Sequence, residues 1–397
     1  MAERIRFLGQ VLSERLAHTR VAFVSGPSQV GKTACCSALS SRVLDWNDVA
    51  DRLVMLRGPE SVARQLGLAR RRDDVIVVFD NLHGNLKWKS FVRRLLAHCG
   101  PRVRVAITTL YPARVPGRRL PPDSFQLRIN PLSVGECARA AVVPDSLIQP
   151  PAPLGDEDWA ALLEHGGFPE PFIRRDVNFT RRWNAKRNQQ LIGHDLPMFA
   201  AVRDPSLVQM LAMLLAERSA RHLVYSDLSR ELGVAVDTVR RWIEVLVGLQ
   251  YGFLVRPWST RVPKALRKEP KWFLRDWSSI ADPGARARTF VACHLLKAAE
   301  GWHDLGYGSF EVRYVCDKLK REVDFLMLRD RKPWFLVEVS EEAAGGEPTA
   351  SLSYFQRCTR AQHAFQVSMD AAYAAVDCFE RADPTVIPAR TFLSQLL

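Results

Sequence analysis

Short apolar runs alternate with amphipathic segments through the first third of the chain. VAFVSG (21–26), VIVVFD (75–80), VRVAIT (103–108) and FQLRI (125–129) are brief and rich in β-branched or aromatic residues. Apolar runs of that length predict strands buried on both faces, as in a parallel sheet. Helical periodicity fills the gaps, beginning with TACCSALSSRV (33–43), and MAERIRFLGQ at the start predicts a short amphipathic helix. The first part therefore reads as a doubly wound α/β layer. The proline-rich VPDSLIQPPAPLGDED (143–158) marks a boundary or a surface excursion.

Residues 159–222 carry helical periodicity. YSDLSRELGVAVDTVRRWIEVLVGLQYGFLV (225–255) then has the build of a helix-turn-helix. Ser226 is placed as its N-cap, Leu228 and Leu232 face inward, and Gly233 makes the turn. Val234, Val239, Ile243 and Leu246 form the buried face of the second helix, leaving Arg240 and Arg241 exposed. Strand patterns return at EVRYVCD (311–317), EVDFLML (322–328) and PWFLVEVS (333–340), predicting a second α/β unit. Internal repeats and low-complexity tracts are not evident.

At 397 residues the chain is long enough for two to four domains. Its 47% hydrophobic and 25% charged content is that of a soluble globular protein. Apolar runs fall short of the roughly 18 residues that a membrane helix needs, and the N-terminus has no signal-peptide core, so a cytoplasmic location is expected. The eight cysteines form no C-x-x-C pair and sit among apolar residues, which predicts buried free thiols rather than zinc ligands or disulfides. The formal charge of +13 points to a polyanion, nucleic acid or nucleotide, although arginine-rich coding alone also produces such a balance.

GPSQVGKT, from Gly26 to Thr33, fits G-x-x-x-x-G-K-[ST] between a strand and a helix. Gly26 and Gly31 let the backbone curl, so that amides across Pro27, Ser28, Gln29 and Val30 can face the phosphates of ATP. Lys32 offsets charge on the β- and γ-phosphates, Thr33 can ligate Mg²⁺, and the helix N-terminus favours an anion. Asp80 ends an apolar strand, the place of a Mg²⁺-holding aspartate; a strand-terminal aspartate also serves simply as a helix cap. Asn81 follows it and can orient water but cannot take a proton. Thr108 and Thr109 end the next strand, where they either sense the γ-phosphate or bond the backbone.

These residues resemble bacterial and archaeal AAA-family ATPases that carry a C-terminal domain of unknown function with a restriction-nuclease-like core. Beyond the phosphate loop, the resemblance rests on DNLHGNLKWKSF (80–91), INPLSVGE (129–136), EHGGFPEPF (164–172), RRWNAKR (181–187), KEPKWFLRDW (268–277) and KREVDFLML with PWFLVEVS (320–340). It implies a P-loop AAA-type domain over 1–140, a helical lid over 141–204, a winged-helix-like module over 205–284 and a nuclease-like α/β domain with a helical tail over 285–397. It also implies a homo-oligomer whose neighbouring subunit inserts an arginine, with Arg118 beside Arg119 as the candidate finger. Glu170 with Arg174 or Arg175 is a candidate second approach to the nucleotide, the alternative being a Gly-Gly-Phe-Pro turn that folding geometry alone explains. The chain departs from the family at Asn81, where a glutamate is usual, and at Thr108-Thr109-Leu110, where T-G-S is usual.

Asp324 and Glu338 lie fourteen residues apart on consecutive strands, the spacing of a metal-holding carboxylate pair in D…E-x-K phosphodiesterases. The lysine position is Ser340, and Arg288 stands where the family has a helix glutamate, so an ion pair is expected to compete with metal. Lys318, Lys320 and Arg321 are candidate substitutes for the lysine. The segment 255–275 interleaves seven basic residues with tryptophans, suiting phosphate contact or a solvated hairpin. The favoured expectation is an ATP-binding protein with weak hydrolysis that switches action on nucleic acid or a protein partner. The alternatives are an ATP-controlled metal-dependent DNA nuclease and a regulatory ATPase that touches no DNA. Asp74, Glu136 or a partner's residue are the expected replacements should a base be needed.

Overall fold

The computed structural model describes residues 7–40, 42–69, 73–85, 87–110, 123–139, 141–143, 146–200, 202–258, 269–340 and 346–397. It divides into two compact units, Met1–Asn130 and Pro131–Leu397.

In the first unit, strands β1 (Val21–Ser25), β2 (Val43–Asp45), β3 (Val75–Asp80), β4 (Val103–Thr109) and β5 (Ser124–Arg128) form an all-parallel sheet in the order β2-β3-β4-β1-β5. The apolar runs are continuous because the middle strands are covered on both faces: β1 is buried throughout, and β4 is buried except at Arg104. The helix Trp88–His98 turns Trp88, Phe91, Val92 and Leu95 to the sheet, the i, i+3, i+4, i+7 stripe of an amphipathic helix. Trp88 meets Phe23 edge-on at 5.4 Å, and Phe91 meets Phe79 at 5.7 Å. Each such ring, fully buried, contributes on the order of 2 kcal/mol from burial alone.

Two local expectations are corrected here. The helix after the phosphate loop covers only Lys32–Ser37, and Val43 begins β2 instead of ending that helix. Ser40 turns the chain by donating its hydroxyl to Ile76 O, and β2 then pairs with β3. The start of the helix-turn-helix also shifts. The helix Tyr225–Leu232 has Val224 at its N-cap, so Ser226 lies within the first turn.

The second unit contains a mixed sheet in the order β13-β12-β11-β10-β9-β7-β8-β6. Its strands are β6 (Arg221–His222), β7 (Gly252–Pro257), β8 (Lys271–Leu274), β9 (Phe310–Cys316), β10 (Glu322–Arg329), β11 (Lys332–Ser340), β12 (His363–Ser368) and β13 (Thr385–Pro388). The helix pair Tyr225–Leu232 and Val236–Gly248 turns on Gly233, which sits at φ 66°, a conformation glycine adopts without Cβ strain. Leu228, Leu232, Val239, Ile243 and Leu246 are buried, and Arg240 and Arg241 are exposed. β8 pairs antiparallel with both β6 and β7, and a two-residue parallel seam of β7 on β9 joins these strands to the remaining sheet.

The expected helical tail is instead mixed. β12 and β13 pair in parallel between the helices Ala350–Thr359 and Ala389–Ser394. The 23-residue helix Pro283–Leu305, capped by Asp282 donating no proton but accepting from Ala285 N at 2.6 Å, is largely buried.

Candidate nucleotide site

The phosphate loop follows β1. Gly26 is there because of space: a Cβ would lie 2.2 Å from Ile129 O, so any side chain would push the loop off the chain leaving β5. Gly31 takes φ 96°, the left-handed region, at the N-cap of Lys32–Ser37. Gln29 also has positive φ, at 64°, and Val30 is buried, which anchors the loop from beneath. Lys32 is buried, and its ammonium donates to Gly26 O at 2.9 Å and Pro27 O at 2.7 Å. Those two carbonyls fix the position of the ammonium at the base of the loop. Cys36 lies just below in the helix, and burial pushes its thiol well up, so it is inert there.

Asp80, at the end of β3, is buried and densely partnered. Its Oδ2 accepts from Thr33 Oγ1 at 2.8 Å, and its Oδ1 accepts from Thr108 Oγ1. The Thr108 hydroxyl in turn accepts from Asn81 N at 2.9 Å. The Thr108 hydroxyl thus bonds the backbone, one of the two expectations for it, and also the Asp80 side chain. Thr109 is buried one residue further on.

Sequence reasoning missed Asp45, the last residue of β2. It stands in register with Asp80 on the neighbouring strand, and parallel strands run about 4.8 Å apart. Asn81, at φ 53° and ψ 28°, points its Nδ2 between the two carboxylates, 3.1 Å from Asp45 Oδ1 and 3.1 Å from Asp80 Oδ2. An amide nitrogen is the donor this position needs. A glutamate there would bring a third negative charge against two others. Only the three-residue run VLD signals this strand in the sequence, too short to show a period.

Arg118 and Arg119 lie outside the described residues. Asp74 is exposed just before β3, at the opposite end of that strand from Asp80. Glu136 is a buried residue of the second unit, ion-paired to Lys297. Glu170 and Arg174 form an exposed i, i+4 pair at 3.6 Å, and Arg175 pairs with Asp158.

Several motif blocks prove to be packing devices. Leu132 N donates to Gly167 O at 2.6 Å, and a Cβ on Gly167 would lie 2.6 Å from Leu132 O and 2.7 Å from the Trp277 ring. Arg187 stacks over Phe168 at 4.0 Å and lies 3.9 Å from Asp276, both charges fully buried. The proline-leucine-serine, glycine-phenylalanine-proline, RRWNAKR and RDW blocks therefore meet one another in the second unit.

Asp324 and Glu338 sit on the antiparallel pair β10 and β11, next to the matched residues Phe325 and Val337. Asp324 Oδ2 accepts from Val339 N at 3.1 Å, while its Oδ1 faces Lys271 Nζ at 3.3 Å and Arg288 Nε at 3.7 Å. Lys271, buried on β8, also pairs with Glu322 at 2.5 Å, and His222 Nε2 reaches Glu322 at 2.9 Å. Burial raises the Glu338 carboxyl; the Thr349 hydroxyl on it pulls the other way, and the Asp324 charge adds to the rise. Lys318 and Lys320 are exposed, and Arg321 is engaged by Asp317 and stacks on Tyr354. Among the described residues, no group of three or more His, Cys, Asp or Glu side chains is placed to hold a metal ion.

Residues 156–281 match the model of a family described as a domain of unknown function, DUF8612. No curated protein matches the chain. Among solved structures, it is distantly similar to a Signal Transduction ATPase with Numerous Domains (STAND) protein with a tetratricopeptide repeat sensor from Pyrococcus horikoshii. The identity is 14% and the TM-score 0.23, over 75% of this chain and 47% of that one. The chain thus spans about half the length of that protein. Its own five-stranded parallel sheet is consistent with a P-loop fold. Among the described residues, no helix is long and apolar enough to cross a membrane.

Proposed function

We propose that the chain binds ATP with Mg²⁺ in the Gly26–Thr33 loop, hydrolyses it slowly, and uses nucleotide occupancy as a switch on nucleic acid or a protein partner. The carrying observation is the Thr33 Oγ1 to Asp80 Oδ2 bond of 2.8 Å beside the buried Lys32. Mg²⁺ is commonly held by one or two protein oxygens, with phosphate and water supplying the rest. Thr33 and Asp80 are the residues that would hold it, and the ion would neutralise charge on the β- and γ-phosphates. Lys32 adds a fixed cation to the loop, and Gly26 keeps its floor clear of a side chain. Asn81 orients and cannot accept a proton, so position 81 itself supplies no general base.

The same reading gives Asp324 a structural task. Its oxygens are committed to Lys271, Arg288 and Val339 N, so an ion pair is favoured over strand cleavage. Partner contact through the exposed Arg240 and Arg241 fits a polyanion, given the +13 charge.

Calorimetry with Mg²⁺-ATP tests the proposal: uptake is expected from the wild-type chain and not from Lys32→Ala. No uptake at millimolar ligand by folded protein overturns it. A plasmid-nicking assay with Mg²⁺ or Mn²⁺ and an Asp324→Ala control is expected to give no cleavage.

A further inference from the structure

We propose that Asp45 is the proton acceptor for hydrolysis, replacing a carboxylate at position 81. The inference rests on the ATP-binding reading above and deepens it. Three observations carry it. Asp45 ends β2 in register with Asp80, so the strand pairing itself brings its carboxylate to the same sheet edge. Trp46 N donates to Asp80 O at 3.0 Å, which locks that register where the strands end. Asn81 Nδ2 spans the two carboxylates at 3.1 Å each, tying Asp45 to the residue that Thr33 contacts.

The two aspartates are not equivalent. Asp80 is buried and takes hydrogen bonds on both oxygens, from Thr33 and Asn81 on one and Thr108 on the other. That saturation suits a fixed structural or metal-facing anion. Asp45 is half-buried, and both of its side-chain hydrogen bonds, from Asn81 Nδ2 and from Asn47 N at 2.9 Å, go to Oδ1. Its Oδ2 is the oxygen left to take a proton. Asp51 accepts from Asp45 N at 2.9 Å and so steadies the strand end rather than the carboxylate.

The step balances simply. The water oxygen forms a bond to the γ-phosphorus while the bond from that phosphorus to the β,γ-bridging oxygen breaks. ADP leaves with the electron pair of that bond. The water proton passes to Asp45 Oδ2 and is then released to phosphate or solvent. Asn81 holds Oδ1, so the carboxylate keeps one orientation throughout.

Asp45→Asn tests this, because the amide oxygen can still accept from Asn81 and Asn47 while the proton acceptor is lost. Nucleotide affinity, measured directly by calorimetry, is expected to change less than about threefold. Single-turnover hydrolysis of labelled ATP is expected to fall by at least about 10²-fold, the lower end of a general-base contribution. Asp45→Ser gives a second route to the same loss, and Asp45→Glu should retain measurable turnover. Adding Asn81→Glu to Asp45→Asn should restore at least tenfold of the lost rate, by returning a carboxylate to the strand end.

Unchanged hydrolysis in both Asp45→Asn and Asp45→Ser, with binding intact, overturns this assignment alone. A wild-type chain that binds ATP with no turnover overturns this assignment together with the slow hydrolysis proposed above, and leaves the binding reading standing. Absence of binding in the wild-type chain overturns the ATP reading and this inference together.

Discussion

Thr33 Oγ1 donates to Asp80 Oδ2 at 2.8 Å, joining the residue after the loop lysine to the end of β3, a strand that does not neighbour β1 in the sheet. Removing this hydroxyl removes one of the two protein oxygens proposed for Mg²⁺. Thr33→Ala is therefore expected to weaken Mg²⁺-ATP binding about tenfold, or ~1.4 kcal/mol. Titration in the presence of EDTA should show much less difference between variant and wild type. Equal losses with and without the metal would count against the pairing of Thr33 with the ion.

Gly26 has no room for a Cβ, which would lie 2.2 Å from the backbone oxygen of Ile129. The obstacle is main chain next to a strand, not a pliable side-chain tip. Gly26→Ala is expected to lower stability by about 1–3 kcal/mol, the range for overpacking, and to abolish nucleotide uptake. Urea denaturation and calorimetry read the two effects separately.

Lys271 is a buried cation between Glu322 and Asp324. The two carboxylates raise its pKa against the opposing effect of burial. Breaking such a buried network from one side costs about 3–5 kcal/mol, since the remaining charges lose their partner. Lys271→Met is expected to destabilise the second unit by that amount. Combining it with Glu322→Gln and Asp324→Asn should recover most of the loss. A single variant as stable as wild type in guanidinium unfolding would contradict the role given to this lysine.

Acid should expose the same network. Burial alone would raise the Glu322 carboxyl, but the hydrogen bond from His222 and the charge of Lys271 outweigh it and hold the group at about 2. Its folded value is thus below the usual unfolded value of about 4.3. The group's stabilisation is complete above that unfolded value and is lost as pH falls toward 2. Wild-type stability, followed by denaturant midpoint, is expected to fall across this window more steeply than that of Glu322→Gln.

Much of the first sheet is legible in the sequence because β1 and β3 carry runs of four and five apolar residues and β4 is interrupted only by Arg104 before its closing threonines. Lys32, Thr33 and Asp80 are legible because the phosphate loop fixes their spacing. Asp45 was hidden for two physical reasons. β2 is three residues long, and its partner Asn81 is 36 residues away, so their relation exists only through strand register. Lys271 was hidden in the same way: it reads as one more basic residue of a surface hairpin, yet strand pairing carries it inward to Asp324, 53 residues away. The Gly-Gly-Phe-Pro and RRWNAKR blocks were visible as motifs, but their mutual packing around Phe168 and Asp276 was not, since motif spelling carries no direction in space.

The seam between β7 and β9 involves only Arg256 with Arg313 and Pro257 with Tyr314, yet it is riveted on either side. Trp258 N donates to Tyr314 O at 2.8 Å, and Lys271 and His222 reach across to β10. Because its main-chain pairing is so short, the join between β6–β8 and the larger sheet draws also on the ion pairs that Lys271 and His222 make with Glu322.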